Sequence, residues 1–404
     1  RNNDGVRNSH TDHAEVMFSL NGKGQENTGA VIGAALEYSG NYKLKTVTDD
    51  TEYHYFFAGI NEQNSEYHLK KGETFKTPAL AFTYSNEGLS GASRNFHKWG
   101  RKYVLAHGDQ ERDILLNSWE GVYFDINQKG MDQMMADFKA LGGELFVMDD
   151  GWFASEKYTR DGAGNAALGD WNPDPRKLPN GLRPLINEAK KDGLRFGIWL
   201  EPEMGNWKAS ALYDKHPDWF LQNRGREPRL GRGGTQDALD LTNPKVQDFV
   251  FSVFDRLLTE NPEISYIKWD MNRSMTDRFS QALPADRQGE LCHRYVLGFY
   301  KLMEKLTSTF PQIRFEGCCG GGGSVKVKGD KIKDVVAVKT IHIEGMHCSN
   351  CSSRVQNALN SMDQVNAKVD LKKQQAVVKL GKNVSDDELK SCVERSGYMV
   401  RSIE

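Results

Sequence analysis

The sequence predicts three folded parts in series: an antiparallel β-sandwich over 1–112, an incomplete parallel (β/α)8 barrel over 113–323 and a small α+β domain over 336–404. Three observations carry this. Short alternating stretches fill the first part, strand–helix alternation fills the second, and the run Gly320–Ser324 interrupts that alternation before a new pattern begins.

In the first part, EVMFSL, AVIGAALEYSG, YKLKTVT, YHYFFAGI and ALAFTYS alternate apolar and polar residues between Gly-, Asn- and Asp-rich turns. Period-two patterning of this kind is the signature of half-buried antiparallel strands. A helix over about Ala92–Leu105 is expected to close the sheet. The chain begins at Arg1 rather than Met, so the sandwich is expected to be incomplete at its N-terminus.

From Ile114 the apolar strands LLNSWEGV, ELFVMDD, LRFGIWLEPE, YIKWDMN and IRFEGC alternate with MDQMMADFKAL, LRPLINEAKK, VQDFVFSVFDRLL and YVLGFYKLMEKLTSTF, which have helical spacing. Apolar strands separated by helices argue for a parallel sheet covered on both faces. A closed barrel of this type needs eight strands, and about five are present. Polar and acidic residues gather where the strands end, which is where barrels carry their active sites.

Gly320–Ser324 and the lysine-dotted VKVKGDKIKD read as a flexible linker, assigned to 324–335. Beyond it come VAVKTIHIE, a Gly-Met-His-Cys-Ser-Asn-Cys loop, SSRVQNALNSM, VNAKVDL, QAVVKL, DDELKSCVERS and MVRSI. That is the order βαββαβ, a ferredoxin-like unit.

Composition narrows the function. Lys and Arg number 53 against 55 Asp and Glu, a net charge of -2, so no basic surface for nucleic acid or anionic membrane is expected. Mean hydropathy is -0.64. No apolar run approaches the ~20 residues that span a bilayer. The six cysteines are unevenly spaced, unlike a secreted disulfide framework, and point to a reducing, cytoplasmic compartment.

The second part carries candidate chemistry. Asp270 ends the apolar strand YIKWDMN, where a fixed backbone can aim a carboxylate, and Lys268 lies two residues earlier on the same face. An ammonium there can keep the carboxylate ionised and bind a hydroxyl. Asp149 and Asp150 place two acceptors side by side, suited to vicinal hydroxyls. Plainer readings are a turn cap for Asp270, an Asx-turn before Gly151, and core packing for Trp119 and Trp171. His293 is expected on a helix surface, and no histidine spacing in this part suits a metal.

Taken together, Asn117-Ser118-Trp119-Glu120, Asp149-Asp150-Gly151-Trp152-Phe153, Gly169-Asp170-Trp171, Trp199-Leu200-Glu201-Pro202-Glu203, Lys268-Trp269-Asp270-Met271-Asn272 and Glu316-Gly317-Cys318-Cys319-Gly320-Gly321-Gly322 resemble the α-galactosidases of glycoside hydrolase family 36, in order and spacing. The resemblance implies retaining hydrolysis of terminal α-galactosides, such as raffinose-series oligosaccharides, without a cofactor. It implies Asp270 as nucleophile and Trp119, Asp149, Asp150, Trp171, Lys268, Cys318 and Gly321 as substrate-binding residues. Glu201 and Glu203 are expected to support the site. Arg232 stands where the family places a pocket arginine, in a local sequence, GRGGTQDALDL, that departs from the family pattern. Many family members form homo-oligomers. The family's acid/base aspartate lies on the sixth barrel strand, which the pattern here lacks, so the acid/base is expected to be absent and turnover impaired.

Two thiolates at i and i+3 beside a helix start can converge on one soft ion, and linear dithiolate coordination favours Cu(I). Gly345–Cys351 and the terminal Gly397-Tyr398 resemble heavy-metal-associated domains of copper chaperones and copper-exporting ATPases. That resemblance implies Cu(I) held by Cys348 and Cys351, zinc as a further possibility, Met346 packed inward, Tyr398 near the metal, and copper-transport proteins as partners. A redox dithiol is the alternative for the Cys-x-x-Cys itself. Cys392 is expected to pack as a small hydrophobe. A copper-binding module on a non-catalytic hydrolase remnant is the alternative reading of the whole chain.

Overall fold

The computed structural model describes residues 13–20, 22–162, 164–231, 234–272, 275–317, 335–346, 349–360, 362, 364–395 and 398–404. The chain divides into two compact units, Arg1–Gly321 and Gly322–Glu404. The predicted linker at 324–335 falls almost wholly outside the described residues.

The first unit opens with β1 (Glu15–Ser19), β2 (Val31–Leu36), β3 (Tyr42–Thr48), β4 (His54–Ile60) and β5 (Leu80–Ser85). They form a three-stranded sheet, β1-β2-β5, and a β3-β4 hairpin, all antiparallel. Alternation decides which face is buried. Tyr42 and Leu44 of β3 point into the core, and Phe56 of β4 meets Phe18 of β1 edge to face at 5.1 Å. The closing helix α1 (Gly88–Trp99) starts earlier than the sequence pattern indicates, and its last turn continues as a π-helix over Gly100–Val104. Its early start is set by Gly88, whose positive φ of 67° turns the chain where a Cβ would strike the backbone of Gln25, Glu26 and Thr28.

The parallel part comprises β6 (Leu115–Asn117), α2 (Trp119–Val122), α3 (Gln128–Ala140), β7 (Leu145–Met148), β8 (Phe153–Ala154), β9 (Asn172–Pro173), α4 (Arg183–Lys191) and β10 (Arg195–Leu200). It continues with β11 (Met204–Asn206), α5 (Ala211–Lys215), β12 (Gln236–Ala238), α6 (Pro244–Glu260), β13 (Ile264–Trp269), α7 (Leu291–Thr309) and β14 (Arg314–Gly317). Five strands make one curled parallel sheet in the order β14-β13-β10-β7-β6. Sequential strands are therefore spatial neighbours, as in half of a barrel. All four residues of β7 are buried, and so are five of six in β10, because helices cover one face and side chains fill the other.

The helices present their predicted stripes. Val246, Val250, Val253, Phe254, Leu257 and Leu258 of α6 are buried, and Asn243 caps that helix ahead of Pro244. Two sequence expectations need correction. LLNSWEGV is not one strand: it breaks after Asn117, whose side-chain Oδ1 accepts from the Trp119 N–H and turns the chain into α2. His293 is not on a helix surface. It is 6% exposed, because the first part packs over α7, and Tyr38, Tyr67 and Phe75 surround its ring.

The second unit runs β15 (Ala337–Glu344), α8 (Ser349–Asn360), β16 (Val365–Asp370), β17 (Gln375–Leu380), α9 (Asp386–Arg395) and β18 (Met399–Ile403). Its antiparallel sheet has the order β16-β17-β15-β18. Ile341, Ile343, Val355, Leu359, Val378, Leu389 and Val393 form its core, with Met346, Cys351, Cys392 and Tyr398 packed into it. Among the described residues, no helix is long and apolar enough to cross a membrane.

Candidate active site

The C-terminal ends of β6, β7, β10 and β13 bring the charged residues of the first unit together. Asp270 follows β13 and is only 5% exposed. Its Oδ2 accepts from the Trp199 indole at 3.0 Å and from Asn272 Nδ2 at 2.6 Å, while Oδ1 accepts from the Met271 N–H at 2.9 Å. The Asp270 N–H donates to the Leu200 carbonyl at 2.9 Å, so β10 fixes the backbone from which the carboxylate projects.

Lys268, on the same strand, donates to Asp149 Oδ2 at 2.8 Å. Asn117 Nδ2 donates to the same oxygen at 2.6 Å. Burial raises the Asp149 pKa, opposed by the Lys268 charge and by the donors around it. Asp150 turns away into a different partnership. Arg160 grips it through Nε–Oδ1 at 2.9 Å and Nη2–Oδ2 at 2.7 Å, and Arg160 is itself 3% exposed. The remaining Arg160 nitrogen donates to the carbonyls of Gly164 and Ala166. Although burial opposes its charge, Asp150 beside it raises the Arg160 pKa.

The aromatic residues divide. Trp119 is half-buried on α2, its ring against Tyr123 and Phe124 at 5.2 and 5.0 Å. Trp171 is 4% exposed and closed in by Trp152, Phe153 and Trp199. It braces Trp199, the residue that bonds Asp270. Glu201 accepts from Gln236 at 2.7 Å and from the Asn272 N–H, and Glu203 accepts from Trp269 and Tyr295, both at 2.8 Å. Glu201 thus ties β12 to the segment after Asp270, and Glu203 ties β13 to α7.

Asp149, Asp150, Lys268 and Asp270 thus gather at one end of the sheet. Cys318, Gly321, Arg232 and Cys348 lie outside the described residues. Sequence reasoning missed Arg160, which sits in a Gly- and Asp-rich loop with no periodic signal. Asn117 and Trp199 stand inside the motifs with no signal of their own, although an amide and an indole N–H beside two aspartates are the donors such carboxylates need when buried.

In the second unit, Cys351 lies in the first turn of α8 and is 2% exposed; Met346 is also 2% exposed, and Tyr398 is 7% exposed. Among the described residues, no group of three or more His, Cys, Asp or Glu side chains is placed to hold a metal.

Buried carboxylates with a lysine and indoles at the C-terminal ends of a parallel sheet define a class of site that suits polyhydroxylated substrates, the architecture of barrel glycoside hydrolases. Family comparison agrees. The glycosyl hydrolase family 36 N-terminal domain matches residues 1–70, melibiase matches 74–329, and the heavy-metal-associated domain matches 340–399. The chain belongs to the melibiase family of glycoside hydrolase family 36 and carries a heavy-metal-associated domain after it.

Alpha-galactosidase 1 of Pediococcus pentosaceus is 44% identical over 77% of this chain. The chain spans 40% of the length of that relative. The crystal structure of alpha-galactosidase AgaA from Geobacillus stearothermophilus is 40% identical, covers 80% of this chain and 44% of its own, and superposes with a TM-score of 0.75. Variants of AgaA, 39% identical with the same coverage and TM-score, have been solved with 1-deoxygalactonojirimycin, stachyose and raffinose.

Proposed function

We propose that the first unit is the nucleophile-bearing part of a retaining α-galactosidase site acting on terminal α-galactosides such as raffinose-series oligosaccharides. The observation that carries this is the Asp270 carboxylate, fixed by Trp199 and Asn272 at the end of β13 beside the Lys268–Asp149 pair. Trp119, Asp149, Asp150, Trp171, Lys268, Cys318 and Gly321 are assigned to sugar binding. An Asp270 oxygen attacks the anomeric carbon and forms a glycosyl ester as the C1–O bond breaks. The departing oxygen takes a proton from a general acid, and water then cleaves the ester.

The general acid is the step this chain handles poorly. The five described parallel strands end at β14, and the family's acid/base aspartate is expected on the strand after it. Loss of such an acid typically slows a reaction ~10²–10⁴-fold. p-Nitrophenolate leaves without needing a proton, so p-nitrophenyl α-galactoside is the test substrate. Release that Asp270→Ala abolishes supports the reading, and no release by either protein overturns it.

For the second unit we infer a ferredoxin-like heavy-metal-associated domain that carries Cu(I) as cargo on Cys348 and Cys351, for exchange with copper-transport proteins. Cys351, buried near the start of α8 beside Met346 and Tyr398, supports this reading. One equivalent of Cu(I) retained against a competing chelator, and lost in Cys348→Ser, is the expected result. Retention of zinc alone would assign a different cargo.

A further inference from the structure

The turn that carries Asp149 and Asp150 is held from behind by a side chain that no motif of the sequence points to. Lys177 lies 26 residues beyond Gly151, in the turn after β9. Its ammonium donates three hydrogen bonds, all to backbone carbonyls: Phe124 at 2.8 Å, Gly151 at 2.7 Å and Arg160 at 2.7 Å. These carbonyls come from three separate segments. Phe124 follows α2, which carries Trp119. Gly151 completes the Asp149–Asp150–Gly151 turn. Arg160 is the residue whose guanidinium grips Asp150.

A lysine ammonium has three donors and no acceptor, so this site saturates it. The base from which it reaches is rigid too. Asp174 is fully buried, its backbone N–H donates to the Trp152 carbonyl, and its carboxylate accepts from the Arg176 N–H in the same turn. The turn it holds has little slack. Gly151 has a φ of 115°, and its Cα sits so close to Phe124 that an added Cβ would fall 2.8 Å from the Phe124 Cα. Burial lowers the Lys177 pKa, opposed by the charges of Asp174 and Asp150.

We propose that Lys177 is a positioning residue for galactoside binding, tying the Trp119 segment, the Asp149–Gly151 turn and the Arg160 loop into one rigid half of the sugar pocket through three carbonyl hydrogen bonds. This rests on the galactosidase reading above. Asp270 belongs to the other half: it is held by β10 and β13, through Leu200, Trp199 and Asn272, none of which Lys177 touches through these bonds. The Lys268–Asp149 and Trp152–Trp199 bonds join the halves, but the three bonds of the clamp all lie in the half that carries Asp149, so its loss acts first on binding. Loss of the clamp weakens binding of the galactosyl hydroxyls and leaves the attack by Asp270 intact once the sugar is bound.

The experiment uses the full chain with Lys177→Met and Lys177→Arg. The arginine variant keeps the charge, but its planar fork cannot address three divergent carbonyls, so it tests the geometry should the methionine variant fail to fold. Binding of 1-deoxygalactonojirimycin is measured by calorimetry, and p-nitrophenol release from p-nitrophenyl α-galactoside is followed in single turnover over a range of substrate concentrations. Tenfold or greater loss of affinity, with a maximal rate within twofold of the unaltered chain, is the expected result. Unchanged affinity overturns the proposal. So does a parallel fall in affinity and maximal rate that tracks a lowered melting temperature, which a merely structural residue would give. If the unaltered chain neither binds the iminosugar nor releases nitrophenol, the galactosidase reading fails, independently of what Lys177 does.

Discussion

The Trp199 indole donates to Asp270 Oδ2 across 3.0 Å, joining the third parallel strand of the sheet to the residue that follows the fourth. Trp199 is 1% exposed and stacks on Phe153 at 6.2 Å with nearly parallel planes, so the donor cannot swing away. The proposed nucleophile is thus held by an aromatic core. Trp199→Phe keeps the ring and removes the donor. A hydrogen bond to a charged group is worth about 1.5–3 kcal/mol, so the single-turnover rate of nitrophenol release should fall roughly ten- to a hundredfold. An unchanged rate would show that the bonds from Asn272 and Met271 aim the carboxylate without the indole.

Asp150 and Arg160 are both nearly inaccessible and bound through two parallel bonds. Asp150→Asn leaves a buried guanidinium without its counter-charge, which costs about 3–5 kcal/mol. The denaturation midpoint of the first unit should drop sharply. Asp150→Asn combined with Arg160→Met should recover part of that loss, and a strictly additive double variant would refute the coupling.

Gly151→Ala tests the tight approach to Phe124. The positive φ disfavours any side chain, and the Cβ would crowd the backbone. A cost of at least about 1–3 kcal/mol is expected, together with weaker iminosugar binding. A fully stable variant that binds normally would mean the turn can relax.

His293 gives a pH dependence. Burial, and then the Arg294 charge, push its pKa below the usual imidazole value, while Glu290 works the other way. Tyr38 bonds its Nδ1, and the rings of Tyr67 and Phe75 cover it. Because the folded value is depressed, the unfolded chain takes the proton first as pH falls. The stabilising contribution of the neutral ring is complete above about pH 6.5 and is lost as pH falls from there toward the folded value. Stability measured from pH 7.5 down to pH 5.5 should decline less in His293→Gln than in the unaltered chain, and identical slopes would exclude His293 as the cause.

Cys392 is 6% exposed in the core of the second unit. Cys392→Ser should therefore lower the stability of that unit by about 1–3 kcal/mol, through an imperfectly satisfied buried hydroxyl. The single equivalent of Cu(I) proposed for that unit should be unaffected. Loss of copper from this variant would move Cys392 into the metal site.

Much of the fold was legible because periodicity reports burial directly. Strands β7, β10 and β13, helices α3, α4, α6 and α7, and all six elements of the second unit fall where apolar spacing puts them. The reading failed where a side chain outweighed the pattern. Asn117 bends an apolar run into α2, and the packing of the first part over α7 buries His293. Short hairpins such as β8–β9 and β11–β12 have too few residues for any period to register.

The sequence by itself determined the family and the order of the elements, and it singled out Asp270, Asp149, Asp150, Lys268 and Cys351 as candidates, because each sits in a motif dense in residue types that can do chemistry. Tertiary structure alone decided the partners. It gave Lys268 to Asp149 and Arg160 to Asp150, set Trp171 behind Trp199, and brought Lys177 onto three carbonyls. Those pairings join residues from separate strands and loops, and buried charges accept whichever counter-charge and donors the packed chain brings within hydrogen-bond reach.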